Sequence, residues 1–381
     1  MSTDNILLIT DIWGSFLESQ KLTELCREKN ITRLVLCNLN EVMYHNQVEE
    51  LNQKIRNLPY KVSVLTHNAS HDSDTYHKIG MEWCAHTGWV WENIVSPQSI
   101  AQGIVSDSHN RSYTENQKNN TRGLTFIGKL RWVPRILFWD AFISENLHTE
   151  FNYSYYPLLK HSNVYQHQQQ SLAEIGDSIR TSPLDWDNYA QSGIDFDLTS
   201  EVPEYTPDVP NLFYTGYPTK PELFQQTRYS LAPETTSGCD TNSPCATEKT
   251  YRAIQNHHPF LAVGDHRLNS HLHYELGYEN FLEEFDVRDS DLNTDLGSGG
   301  NSTDLGRALR HAHDTFMGNF DRNFDRIQDK VYYNRQHWIS SAEVYRSKLR
   351  VWDRSPTWDE QGNKIPNLCD HVCRHLGIYI N

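Results

Sequence analysis

Basic residues are scarce in this chain. Its 34 Lys and Arg stand against 49 Asp and Glu, a formal charge of −15 at neutral pH. A sequence-independent nucleic-acid binder neutralises phosphates with Lys and Arg. The balance therefore argues against DNA or RNA as a partner, and equally against an anionic membrane surface. Long apolar runs are missing too. None approaches the roughly 20 residues of a membrane-spanning helix. The opening run at residues 6–9, preceded by Asp4, is too short for a secretory signal, so a cytoplasmic protein is expected. Seven cysteines in 381 residues are too few for a disulfide framework. No G-x-G-x-x-G occurs, which argues against a Rossmann dinucleotide site.

What is present is aromatic and ordered. Ten Trp, twenty Tyr and fourteen Phe exclude a disordered chain. The length fits two domains. Apolar runs at 5–10, 33–39 and 61–66 alternate with helical patterns at 15–30 (Phe16, Leu17, Leu22, Leu25) and 47–57 (Val48, Leu51, Ile55). Strand, helix, strand, helix, strand implies a parallel sheet with right-handed crossovers. Residues 106–122 are polar and aperiodic, and read as the boundary. A strand at 123–127 and a helix from about Pro134 to Leu147 open the second half, and 305–350 reads as helix. The expected domains are 1–118, 122–305 and a helical tail at 306–381. Residues 351–381 carry no pattern that assigns them.

Chemistry concentrates between Tyr229 and Phe281. That stretch reads as strand, acidic loop, helix, strand, loop, helix. Thr247-Glu248-Lys249 stands at the helix start, followed by the apolar run Pro259-Phe260-Leu261-Ala262-Val263-Gly264. A Thr there can accept a bond from a first-turn N–H. The positive helix end favours a phosphate. Lys249 adds a full charge, and Glu248 can accept bonds from sugar hydroxyls. A diphosphate carrying a ribose needs these groups.

This stretch resembles the nucleotide-sugar half of α1,3-fucosyltransferase-like glycosyltransferases of the GT-B type. Glu234, Thr247-Glu248-Lys249 and 259–264 match their pattern in order. A second match, FIGKLRWVPRILFWDAFISENL at 126–147, places a basic loop after a strand and an Arg at a helix start. The loop between Glu234 and Thr247 is longer and more polar than that pattern. The resemblance covers roughly residues 125–285. It implies an α/β protein of two Rossmann-like domains facing a cleft, with a C-terminal helical tail. It implies a nucleoside-diphosphate sugar as donor, with GDP-fucose as the family's case, and a glycan or other hydroxyl as acceptor. Arg131, Arg135, Glu234, Glu248 and Lys249 would hold the donor, with no resident cofactor and no metal. An inverting transfer needs a general base from the first domain. Strand-end candidates are Asp11, Glu41, His67 and Asp72, of which Asp11 and His67 are preferred.

Two other readings stay open. A metal-dependent GT-A transferase would use Asp-x-Asp, which occurs at Asp185/Asp187, Asp195/Asp197 and Asp289/Asp291. A sugar-binding or structural protein would keep the fold without activity. The run CDHVCRH at 369–375 reads as a zinc site or as an ordinary helix. His257 and His258 precede a strand and read as local structure.

Overall fold

The computed structural model describes residues 4–10, 15–38, 45–66, 74–80, 115–130, 132–156, 163–181, 221–234 and 244–375. They form an α/β protein with two separate, essentially parallel sheets. Asp11, Glu41, His67, Asp72 and Arg131 lie outside the described residues, as do Asp185, Asp187, Asp195 and Asp197.

The first sheet contains β1 (Ile6–Ile9), β2 (Arg33–Asn38), β3 (Lys61–Thr66) and β4 (His77–Gly80). Helix α1 (Gln20–Glu28) links β1 to β2, and α2 (His45–Arg56) links β2 to β3. Ser19 starts α1 by accepting the Leu22 N–H at 3.1 Å. Leu22, Leu25 and Cys26 then fall on one helical face, as do Val48, Leu51 and Ile55 of α2. Both faces pack on Leu7, Ile9, Leu34, Leu36, Val62 and Val64. Right-handed crossovers between strands laid down in one direction put both helices on the same side of the sheet.

The other side must be covered by something else, because a parallel sheet is buried on both faces. Its residues Ile6, Leu8, Val35 and Leu65 belong to the larger apolar cluster. That cluster also takes in Trp352, Ile365, Leu368, Cys369 and Val372 from the chain's last described segment. The same segment extends the sheet. Strand β9 (Thr357–Trp358) runs parallel to β1, with Ile6 opposite Thr357, and β10 (Lys364–Ile365) is antiparallel to β9. The full order is β10-β9-β1-β2-β3-β4.

The second sheet has the order β6-β5-β7-β8, all parallel. Its strands are β5 (Gly123–Lys129), β6 (Phe151–Tyr156), β7 (Ser230–Pro233) and β8 (Phe260–Val263). Helix α3 (Val133–Ser144) joins β5 to β6, and Pro134 sits in its first turn, where a missing N–H costs nothing. The run Ile136 to Ile143 of α3 is buried on every side. Even Asp140 is enclosed, accepting the backbone N–H groups of Arg180 and Thr181 at 2.7 and 2.8 Å. Helix α4 (Asn163–Ile175) follows β6. Helix α5 (Glu248–Gln255) joins β7 to β8, and α6 (Leu268–Tyr274) follows β8.

Helix α7 (Ser302–Leu349) is 48 residues long, or about 72 Å at 1.5 Å per residue. It lies along α3 and α5. Its buried stripe of Leu305, Leu309, Ala312, Phe316, Phe320, Phe324, Ile327 and Val331 advances by three or four residues per step. Helix α8 (Leu368–His375) carries the run CDHVCRH, with Cys369 buried in the core. Among the described residues no cluster of three or more His, Cys, Asp or Glu could hold a metal. Nor is any described helix long and apolar enough to cross a membrane.

Candidate functional site

The second sheet reverses its direction of growth between β5 and β7. From β5 the chain adds β6 on one side, then returns to place β7 and β8 on the other. In open parallel sheets the crevice at such a reversal, beyond the carboxyl ends of the strands, is where ligands bind. Here the strands also part. The β5–β7 pairing ends at Thr125 and Leu231, although β5 continues to Lys129 and β7 to Pro233. A bulge at Ile127 bends β5, and Gly128 then adopts a left-handed backbone at φ +73°. By contrast, β7 stays paired with β8 through Pro233 and Val263.

Two groups from the sequence-based set meet on the β7 side. Glu234 follows β7 directly and is buried, with 1% of its surface exposed. Its Oε1 accepts the Thr247 N–H at 2.9 Å and the Thr250 hydroxyl at 2.6 Å. Its Oε2 accepts the Thr247 hydroxyl. Lys249 is also buried, its Nζ donating to Thr247 Oγ1 at 3.2 Å and standing 3.9 Å from Glu234 Oε2. Glu234 thus ties the start of α5 to the end of β7 and balances the lysine charge within the protein.

This alters one expectation. Thr247 is the residue before α5, but its hydroxyl does not accept from a backbone N–H of the first helical turn. It donates to Glu234 instead. The helix start is held in place by a strand carboxylate, without a side-chain cap from Thr247. The start of α5, with Thr247 and Lys249 buried, sits against the end of β7. Glu248 is the first residue of α5; its side chain lies outside what is described.

Arg135 is on the β5 side, in the first turn of α3 and half-buried. Its guanidinium lies against Gly128: a Cβ added there would be 2.9 Å from Nη1. Arg135 and the Glu234–Lys249 pair therefore stand on the two strand ends that flank the reversal.

Sequence reasoning missed Thr250, which gives Glu234 a third donor, and Gly128, which seats the arginine. The glycine before a basic loop was the available signal; nothing in the sequence ties Thr250 to a glutamate 16 residues earlier. A second carboxylate, Asp265, stands buried just past β8 and accepts from the Arg267 N–H at 2.8 Å. Of the Asp-x-Asp pairs, Asp289 accepts the Asn269 and Ser270 N–H groups at the start of α6, and Asp291 pairs with Arg288 at 2.9 Å. Both carboxylates are engaged with the protein's own donors.

His258 is built into the sheet. Its Nε2 donates to the Thr227 carbonyl at 3.0 Å, so its Nδ1 accepts from the Ser230 hydroxyl at 2.7 Å. Burial holds its pKa down to about 4.

No protein-family model matches this chain, and no curated protein or solved structure matches it.

Proposed function

We propose that this chain is a glycosyltransferase that moves a sugar from a nucleoside-diphosphate sugar to a hydroxyl acceptor, without a metal and with inversion. The observation that carries the reading is the placement of the α5 start beside the β5–β7 reversal, with Arg135 across from it. A helix start and a guanidinium are the groups that bind and stabilise a diphosphate leaving group. Lys249, buried beneath the helix start beside Glu234, supports the donor site by holding that start in place. Glu248, at the first helical position, is the acceptor for ribose hydroxyls.

In this reading the two parallel sheets are two Rossmann-like domains, 1–118 and 122–305, facing a cleft, and the tail at 306–381 returns to the first. The acceptor and the base come from the first domain, with Asp11 and His67 as the base candidates. The enzyme acts in the cytoplasm.

The test is a calorimetric titration of the full chain with UDP, GDP and CMP, with and without EDTA. One nucleoside diphosphate is expected to bind equally well in both conditions. Lys249→Met, which keeps the buried stem, is expected to weaken that binding about tenfold by loosening the helix start that Lys249 and Glu234 hold. Binding that vanishes with EDTA would replace this reading with a metal-dependent one. No binding at all would leave a non-catalytic protein.

A further inference from the structure

We infer that Gly128 is a positioning residue for Arg135: its left-handed backbone and absent side chain seat the guanidinium at the carboxyl end of β5, where it meets the diphosphate of the donor. The inference rests on the proposed nucleotide-sugar function and adds to it a residue that touches no ligand.

Three observations converge on this glycine. Its φ of +73° is a conformation that residues with a Cβ adopt reluctantly. The bulge at Ile127 turns the end of β5 just where pairing with β7 has stopped, so the strand end faces the crevice. The space that a side chain would occupy is filled by the arginine: an added Cβ would be 2.9 Å from Nη1, 3.5 Å from Cζ and 3.9 Å from Nη2. All three atoms are at the far end of a flexible side chain. A methyl group at 128 therefore displaces the guanidinium, in addition to the backbone strain that this φ imposes on any residue with a Cβ.

A planar guanidinium binds phosphate oxygens through two parallel N–H donors, and that geometry fails when the plane is turned or shifted. Gly128 leaves the room that the guanidinium occupies at the end of β5, and Pro134 precedes Arg135 in the same helical turn, where it fixes φ. A lysine-like point charge would not require such a seat. The cradle thus fits an oxyanion that is recognised by direction as well as by charge.

The experiment is a double-mutant cycle on the full chain, with GDP and UDP as probes and calorimetry as the readout. Wild type is titrated first. If it binds neither nucleotide, the proposed function fails and this inference falls with it. If it binds, Arg135→Ala is expected to lose about 30-fold in affinity and Gly128→Ala about tenfold, the range of one charged hydrogen bond. The double variant is expected to bind no more weakly than Arg135→Ala alone, because the glycine acts only through the arginine.

Gly128→Asn separates the two roles of the glycine. Asn tolerates a left-handed backbone better than Ala, yet it carries the same Cβ. It is expected to match the affinity loss of Gly128→Ala, and it carries the test if the alanine variant fails to fold. The inference is overturned if either Gly128 variant binds as wild type does, if the two single losses add in the double variant, or if Arg135→Ala binds normally. In each of these cases the nucleotide-sugar function itself still stands, because wild type has bound.

Discussion

The two sheets each have a place where strand order reverses, and the chain treats the two places differently. In the second sheet it lies between β5 and β7, where pairing ends early, with an arginine against the β5 end and a buried lysine and a helix start at the β7 end. In the first sheet it lies between β1 and β9, since β1 to β4 grow one way and the returning chain adds β9 on the other side. There the strand end is filled from within: Glu360, in the β9–β10 turn, accepts the Thr10 N–H at 2.6 Å. One parallel-sheet rule makes both crevices, and the loops decide their sign. A carboxylate at a strand end suits a hydroxyl or a proton; a phosphate needs the other one.

The largest effect should come from cutting the dependence of the first sheet on the chain's last segment. Deleting residues from Pro356 onward removes β9, β10 and α8. It uncovers Ile6, Leu8, Val35 and Leu65, which share a core with Ile365, Leu368 and Val372. At roughly 2 kcal/mol for each lost buried side chain, the cost is on the order of 6 kcal/mol. Hydrogen exchange should show β1 to β3 losing protection while β5, β7 and β8 keep theirs. Equal loss in both sheets would mean a single cooperative unit, and the comparison of two regions would dissolve.

Next comes Glu234→Ala. It removes the acceptor for Thr247 and Thr250 and the carboxylate that stands 3.9 Å from the buried Lys249 ammonium. Breaking a buried charge pair costs about 4 kcal/mol. Chemical denaturation should report a loss of that size, and adding Lys249→Met should recover part of it. A loss below about 1 kcal/mol would show that the helix start is anchored by other contacts.

Much of this architecture could be read from residue order alone. The strands at 33–38 and 61–66 follow from apolar runs, and the helix between them from helical spacing. Helix α7 runs within three residues of the expected bounds at each end. What escaped reading has physical causes. Strands β9 and β10 hold two residues each, too few for any period to register. Strand β6, by contrast, alternates Phe151, Tyr153 and Tyr155 with polar residues, a strand signal that sequence reasoning passed over. Thr247, Lys249 and Glu234, singled out together by residue type, do meet in the fold. Their bonding was not legible, because Glu234 reaches Thr247 across a thirteen-residue gap. A carboxylate that closes such a loop is invisible until the loop is folded.

A third test uses acid to weaken the second sheet from inside. His258 joins the Thr227 carbonyl to Ser230 at the start of β7, and burial lowers its pKa from 6.5 to about 4. The unfolded chain takes up a proton first, near pH 6.5, so the folded form loses relative stability as pH falls from there toward 4. Above pH 6.5 the contribution is complete, and below 4 no more is lost. Across that window the change is on the order of 3 kcal/mol. His258→Gln keeps a donor for Thr227 and does not titrate, so its stability should fall less steeply than wild type between pH 6.5 and 4. Equal slopes would assign the acid sensitivity elsewhere.

The smallest effect belongs to the filled crevice. Glu360 is held by a tight turn: Asp359 accepts the Gln361 and Asn363 N–H groups at 2.9 and 2.8 Å, and Gly362 takes a left-handed backbone at φ +85°. The carboxylate therefore reaches Thr10 from a position that does not depend on Thr10. Glu360→Ala should cost about 1 kcal/mol, the net worth of one hydrogen bond at a partly exposed strand end. Glu360→Gln keeps an acceptor oxygen and should cost less. The pair of variants separates bond from charge. If Gln behaves like wild type and Ala does not, the residue satisfies the Thr10 N–H by its acceptor oxygen, and the charge is not needed for that bond. If Ala leaves stability and Thr10 amide exchange unchanged, the strand end does not need filling. The two crevices then differ only in sign.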